Sequence, residues 1–177
     1  ARVQGRGMRR AVGLAWSGVV AALLQLGAGP ALAHGPDAHA GHGHHQALAA
    51  PQQQAWGIAA EARAAKRTIT LRMTDDMRFA PGHFSVRLGE TVRLRVENHG
   101  RLMHEIVLGT PQTLAEHAEL MRRHPGMEHD EPHMAHVSAG KAGELVWRFN
   151  RAGSFAFACL IPGHFQAGMQ GSFTVVP

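Results

Sequence analysis

One cysteine, no tyrosine and an aromatic share of 6% set the first limits on this chain of 177 residues. A lone cysteine, Cys159, cannot close an internal disulfide. The fold must hold without that staple, and the thiol is buried, shared with another chain or bound to something. Long apolar runs are scarce too. The longest, Ala11 to Leu26, has about sixteen apolar and small residues, short of the roughly 20 that span a bilayer. With Arg9 and Arg10 before it and Ala31-Leu32-Ala33 after it, it reads as a cleaved leader over residues 1–33. The expected consequence is export to the periplasm, with no stable membrane association after cleavage.

Export changes the charge argument. Arg2, Arg6, Arg9 and Arg10 leave with the leader, which carries no acidic residue, so 14 basic residues face 13 acidic ones and the charge falls from +5 to about +1. A near-neutral chain lacks the basic face that releases counterions from phosphates, and nucleic acid is excluded as a partner.

Residues 34–67 are read as a flexible, His-rich tail and linker. His34 to Gln54 is Ala, Gly, His, Gln and Pro with few large apolar side chains, too little to offset the entropy of ordering. Ala55 to Lys66 is left open between a short helix and more linker.

From residue 68 the period changes to two. Thr68–Met73, His83–Leu88, Thr91–Val96, Glu105–Leu108, Glu144–Phe149, Ser154–Cys159 and Gly171–Val176 read as short strands bounded by turn residues, which suggests a β-sandwich. One helix is expected over Pro111–Arg123, with Thr110 as N-cap, Pro at the first helical position and Leu114, Ala118 and Met121 on one face. His124 to Ala139, with Pro125, Gly126 and Pro132, reads as a loop.

The chemistry concentrates in Cys159-Leu-Ile-Pro-Gly-His164-Phe-Gln-Ala-Gly-Met169. A thiolate, an imidazole and a thioether stand five residues apart between two predicted strands. A blue-copper centre takes two His and one Cys in a trigonal arrangement with a weak axial Met. This loop offers three of the four. The remaining His must come from elsewhere in the sandwich. His104 is the candidate, since it opens a predicted strand, with His99 and His83 as competitors.

The loop, together with Asn98…Met103-His104, resembles the cupredoxin family of plastocyanin, azurin and pseudoazurin over roughly Thr68 to Pro177. The resemblance implies an all-β, cupredoxin-like Greek-key sandwich over 68–177, with one short helix and a Met/His-rich loop insertion, preceded by a disordered His-rich tail. It implies one type 1 copper on His104, Cys159, His164 and Met169. It is strongest toward periplasmic copper-tolerance cupredoxins, which implies a role in copper homeostasis. Two features depart from the wider family: Glu105 stands where azurins have Asn after the first His ligand, and the interval from Cys to His is longer than in plastocyanin.

Fourteen histidines and eight methionines add to this. His34, His39, His42, His44 and His45 suit weak metal capture by the tail. A second cluster, His117, Met121, His124, Met127, His129, His133, Met134 and His136, mixes thioethers with imidazoles and favours Cu(I). A second copper is expected in the His117/Met121/His124/Met127 region. The alternative function is a mobile electron carrier meeting a redox partner through Ile161, Pro162, Phe165 and Ala167. Catalysis of the multicopper-oxidase type is not expected, because its paired-His motifs are missing; the one His-x-His, His42-Gly43-His44, lies in the tail.

Overall fold

A computed structural model describes residues 50–127 and 129–177. The expected leader and most of the expected tail lie outside them. The strands are β1 (Ile58–Ala59), β2 (Arg67–Thr74), β3 (Arg78–Ala80), β4 (His83–Arg87), β5 (Thr91–Asn98), β6 (His104–Gly109), β7 (Met134–Val137), β8 (Ala142–Arg148), β9 (Gly153–Ala158) and β10 (Gln170–Val176), with helix α1 (Pro111–Arg123) between β6 and β7. They form two five-stranded sheets, ordered β1-β8-β5-β2-β3 and β4-β10-β9-β6-β7. All the pairings are antiparallel except β2 with β5 and β4 with β10.

Alternation in the sequence becomes two faces in space. In β4 burial alternates strictly, with Phe84 and Val86 inward and His83, Ser85 and Arg87 outward, and in β5 Val92, Leu94 and Val96 turn inward. Between the sheets, Phe84 stacks on Phe173 with ring centroids 5.3 Å apart, and Phe149 meets Phe173 edge-on at 5.3 Å. These rings fill the space between the sheets, where they exclude most water.

β6 breaks the alternation because all six of its residues are buried. One face, with Ile106 and Leu108, enters the main core. The other, with Val107, lies under α1, whose Leu114, Ala118 and Met121 pack on Ala158, Leu160 and Met134. The apolar run Ile106-Val107-Leu108 is what a strand covered on both sides requires. The helix begins as the sequence predicts: Thr113 N–H donates to Thr110 Oγ1 at 3.0 Å, and Thr110 N–H donates to Thr113 Oγ1 at 2.9 Å. Gly109 lets the helix close on the strand, since a Cβ there would sit 2.9 Å from Leu114 Cγ.

Three elements differ from the sequence expectation. β7 lies inside the segment expected to be a loop; it is only four residues long and is held by pairing with β6, a contact that no local pattern announces. β3 extends the turn after β2. The linker expected over 34–67 is folded in its described part from Gln54 on. There β1 pairs with β8, Trp56 is 7% exposed, and Trp147 Nε1–H donates to the Trp56 carbonyl at 2.9 Å.

Candidate metal centre

The expected ligands come from three places that the fold brings to one end of the sandwich. His104 is the first residue of β6, Cys159 follows β9 and Met169 precedes β10. The turn leading into His104 is organised by Asn98, which is 2% exposed. Its Nδ2–H donates to the carbonyls of Leu102 at 2.7 Å and Val137 at 2.8 Å, and its Oδ1 accepts from Gly100 N–H at 2.9 Å. The loop from Cys159 to Met169 is closed by its own backbone: Cys159 N–H donates to Met169 O at 3.0 Å, and Met169 N–H donates to His164 O at 3.1 Å. These bonds lock the backbones of the three loop residues together.

The side chains converge. His104 Nδ1 lies 3.2 Å from His164 Nδ1, and Cys159 Sγ lies 3.4 Å from His164 Nδ1. Among the described residues, His104, Cys159 and His164 are the one group of three or more His, Cys, Asp or Glu side chains whose donor atoms all lie within 4.8 Å of one another. His104, Cys159 and Met169 are fully buried, and His164 is partly exposed. The competitors lie elsewhere: His83 contacts Ser172 at 2.9 Å, and His99 pairs with Glu97 at 3.2 Å.

The donor set fits a copper ion. The two Nδ1 atoms and the Cys159 sulfur face one common point, so a single cation can meet all three donors. Burial pushes the Cys159 thiol up to about 12, so the sulfur is a thiol until a metal ion supplies the charge that holds it as thiolate. Burial, and then the His104 ring, lower the His164 pKa and favour the neutral ring that ligation needs. A soft thiolate with two imidazoles selects copper or zinc over the oxygen-seeking ions.

Two supporting residues were not assigned from sequence. Asp75, in the turn after β2, accepts from His104 Nε2–H at 3.0 Å, which fixes the tautomer and turns the Nδ1 lone pair toward the site. Asp75 is itself positioned by the amides of Arg101 at 2.7 Å and Leu102 at 3.3 Å. The Arg101 amide, with smaller help from His104, holds its carboxyl below the usual carboxylate range. Glu105, 2% exposed, points to the opposite face of β6 from His104. It accepts from Leu160 N–H at 2.8 Å and pairs with His136 Nε2 at 2.9 Å, which pins the loop directly after Cys159. The departure from Asn at this position is thus a brace between β6, β7 and the ligand loop. Asp75→Ala is expected to weaken copper binding by about 10- to 100-fold. Asp75→Asn, whose amide oxygen still accepts, should lose less; a competitive copper titration of both variants checks this.

In the second expected region, His117 and Met121 lie one turn apart on α1. His124 is exposed at the helix C-cap, its N–H bonded to Leu120 O. His129, not His124, is the residue beside His117, with ring centroids 4.7 Å apart.

Comparison with known proteins decides the family. Residues 66–176 match the family described as copper binding proteins, plastocyanin/azurin family. The chain belongs to this family. Among related cupredoxins it is 49% identical over 142 residues to the copper-resistant cuproprotein CopI of Rubrivivax gelatinosus, covering 78% of this chain and 86% of that one. It is 37% identical to CopI of Pseudomonas aeruginosa, covering 70% and 84%. Auracyanin B superposes with a TM-score of 0.58 at 24% identity, covering 68% of this chain and 96% of its own. The auracyanin of Roseiflexus castenholzii gives 0.56 at 21%, covering 64% and 99%. These two structures share the cupredoxin sandwich, and the chain is a cupredoxin related to the CopI proteins.

Proposed function

We propose that this cupredoxin is exported to the periplasm, where it binds one type 1 copper and contributes to copper tolerance. The observation that carries the reading is the buried His104–Cys159–His164 group, whose donor atoms lie within 4.8 Å. The CopI relatives are named as copper-resistant, and they align over most of their own length. Arg9-Arg10, the apolar run and Ala31-Leu32-Ala33 support the cleaved leader, and among the described residues no helix is long and apolar enough to cross a membrane.

In this reading His104 and His164 would hold the copper through Nδ1, Cys159 through Sγ and Met169 through its thioether. Copper, when bound, supplies a one-electron couple between Cu(I) and Cu(II). The protein's part is to hold both states in one geometry. The hydrogen bonds that close the loop, the brace from Glu105 and the anchor at Asp75 keep the donors in place, and the buried core excludes water. The role is binding rather than catalysis.

Met169→Gln tests the thioether ligand separately from the other three. A harder oxygen donor should lower the reduction potential while the colour persists; an unchanged potential in redox titration would remove Met169 from the ligand set.

A second reading, electron carriage to a periplasmic redox partner, is favoured by the apolar rim of the site. Leu102 and Met103, adjacent to His104 in sequence, are 48% and 50% exposed, and Pro162 is exposed on the loop that carries His164. Deleting the gene and growing cells in graded copper tests the choice. Sensitivity that rises with copper supports tolerance, whereas copper-independent growth with a respiratory defect supports the carrier.

A further inference from the structure

Helix α1 sets His117 and Met121 four residues apart, on one helix face. The segment after the helix brings His129 back against His117, with ring centroids 4.7 Å apart and planes tilted by 40°. The His104–His164 pair of the copper centre has nearly the same arrangement, 5.0 Å and 54°. Beside the His117–His129 pair lies a cavity of about 590 Å³, lined in part by Met121, Met127, Met103 and His129.

His129 carries the strongest signal. Both of its ring nitrogens are shielded from solvent, and among the described residues neither has a hydrogen-bond partner. A neutral imidazole has one donor and one lone pair, and burying both unsatisfied is unfavourable unless something else completes them. A metal ion would complete the lone pair, the harder of the two to satisfy at a buried ring among thioethers. Burial, and then His129, lower the pKa of His117, which keeps a second lone pair available.

We propose that His117, Met121 and His129 form a second metal site that takes a soft monovalent ion of the Cu(I) class. The donor chemistry selects the ion. Two imidazoles and a thioether are neutral and soft, so they favour Cu(I) over harder divalent ions, and a single positive charge is less costly to desolvate than two. Met127, 39% exposed at the cavity wall, offers a thioether along the way in. The site shares no ligand with the Cys159 centre, so it stands or falls independently of the function proposed above.

The test is an anaerobic Cu(I) titration of the full chain against a colorimetric Cu(I) chelator, with the imidazole NMR resonances of His117 and His129 followed in parallel. The wild-type chain should hold one more Cu(I) than His129→Ala, while the thiolate-to-Cu(II) absorption of the Cys159 centre stays the same in both. The two imidazoles should shift together as that ion binds, and Met121→Leu, close in volume, should weaken it at least about tenfold. Equal Cu(I) counts in wild type and variant would overturn the proposal. Should His129→Ala fail to fold, the wild-type spectra alone decide: resonances of His117 and His129 that stay fixed while Cu(I) saturates the chain would also overturn it.

Discussion

Cu(II) added to the Cys159→Ser chain is expected to produce no intense visible absorption, whereas the wild-type chain should colour strongly with the first equivalent. The band arises from charge transfer out of the thiolate, and among the described residues Cys159 is the sole cysteine. A serine oxygen at this position is harder, is far less readily deprotonated and gives no such transfer. The two imidazoles remain, so the variant should still bind Cu(II) weakly through nitrogen. Binding to the wild type must also release the thiol proton, because burial holds the unliganded sulfur protonated at neutral pH. Absorption spectra of both proteins, with proton release followed in weak buffer, check the two parts together. Retained colour in the variant would remove Cys159 from the site.

The second large effect is on the scaffold. Phe173 lies at the centre of the sandwich, stacked on Phe84 at 5.3 Å and in contact with Phe149 at 5.3 Å and Phe155 at 5.4 Å. It is fully buried, and its neighbours on β4, on β9 and just after β8 cannot all move into the space it would leave. Phe173→Ala is therefore expected to cost about 3–5 kcal/mol, the range for a large aromatic residue removed from a packed core. Against a total stability of roughly 5–15 kcal/mol this is a large share. It should appear as a lower urea midpoint with little change in slope. Phe173→Leu, which leaves a smaller cavity, should cost less, and equal midpoints for Phe173→Ala and wild type would contradict the packing described. The same substitution tests how the site depends on the fold: β10 begins one residue after Met169, so loosening β10 should also loosen the ligand loop.

The elements that sequence reading found are those whose signal is local. Thr110-Pro111 with Leu114, Ala118 and Met121 specifies α1 to the residue. Strict alternation in β4 needs no knowledge of its partner. The loop Cys159 to Met169 compresses three donor types into eleven residues, and the structure brings the strand-opening His104 together with Cys159 and His164. What escaped detection depends on contacts distant in sequence. β7 exists because β6 offers it an edge, and β1 because Trp56 finds the carbonyl-to-indole contact with Trp147. Asp75 lies 29 residues before His104, one of two adjacent aspartates in a turn, and only the fold gives it a role. Glu105 was visible as a departure from the azurin pattern, but its bond to Leu160 N–H could not be seen without the loop in place. His129 was one histidine among many until the structure showed it beside His117 with both nitrogens unpartnered among the described residues.

The central claim is that His104, Cys159 and His164 share one copper ion. X-ray absorption at the copper edge, on the full chain loaded with a single equivalent, reads that directly. The account predicts a shell with one short thiolate sulfur and two imidazole nitrogens, its sulfur lost when Cys159 is replaced. A shell of nitrogen and oxygen alone in the wild-type chain would contradict it.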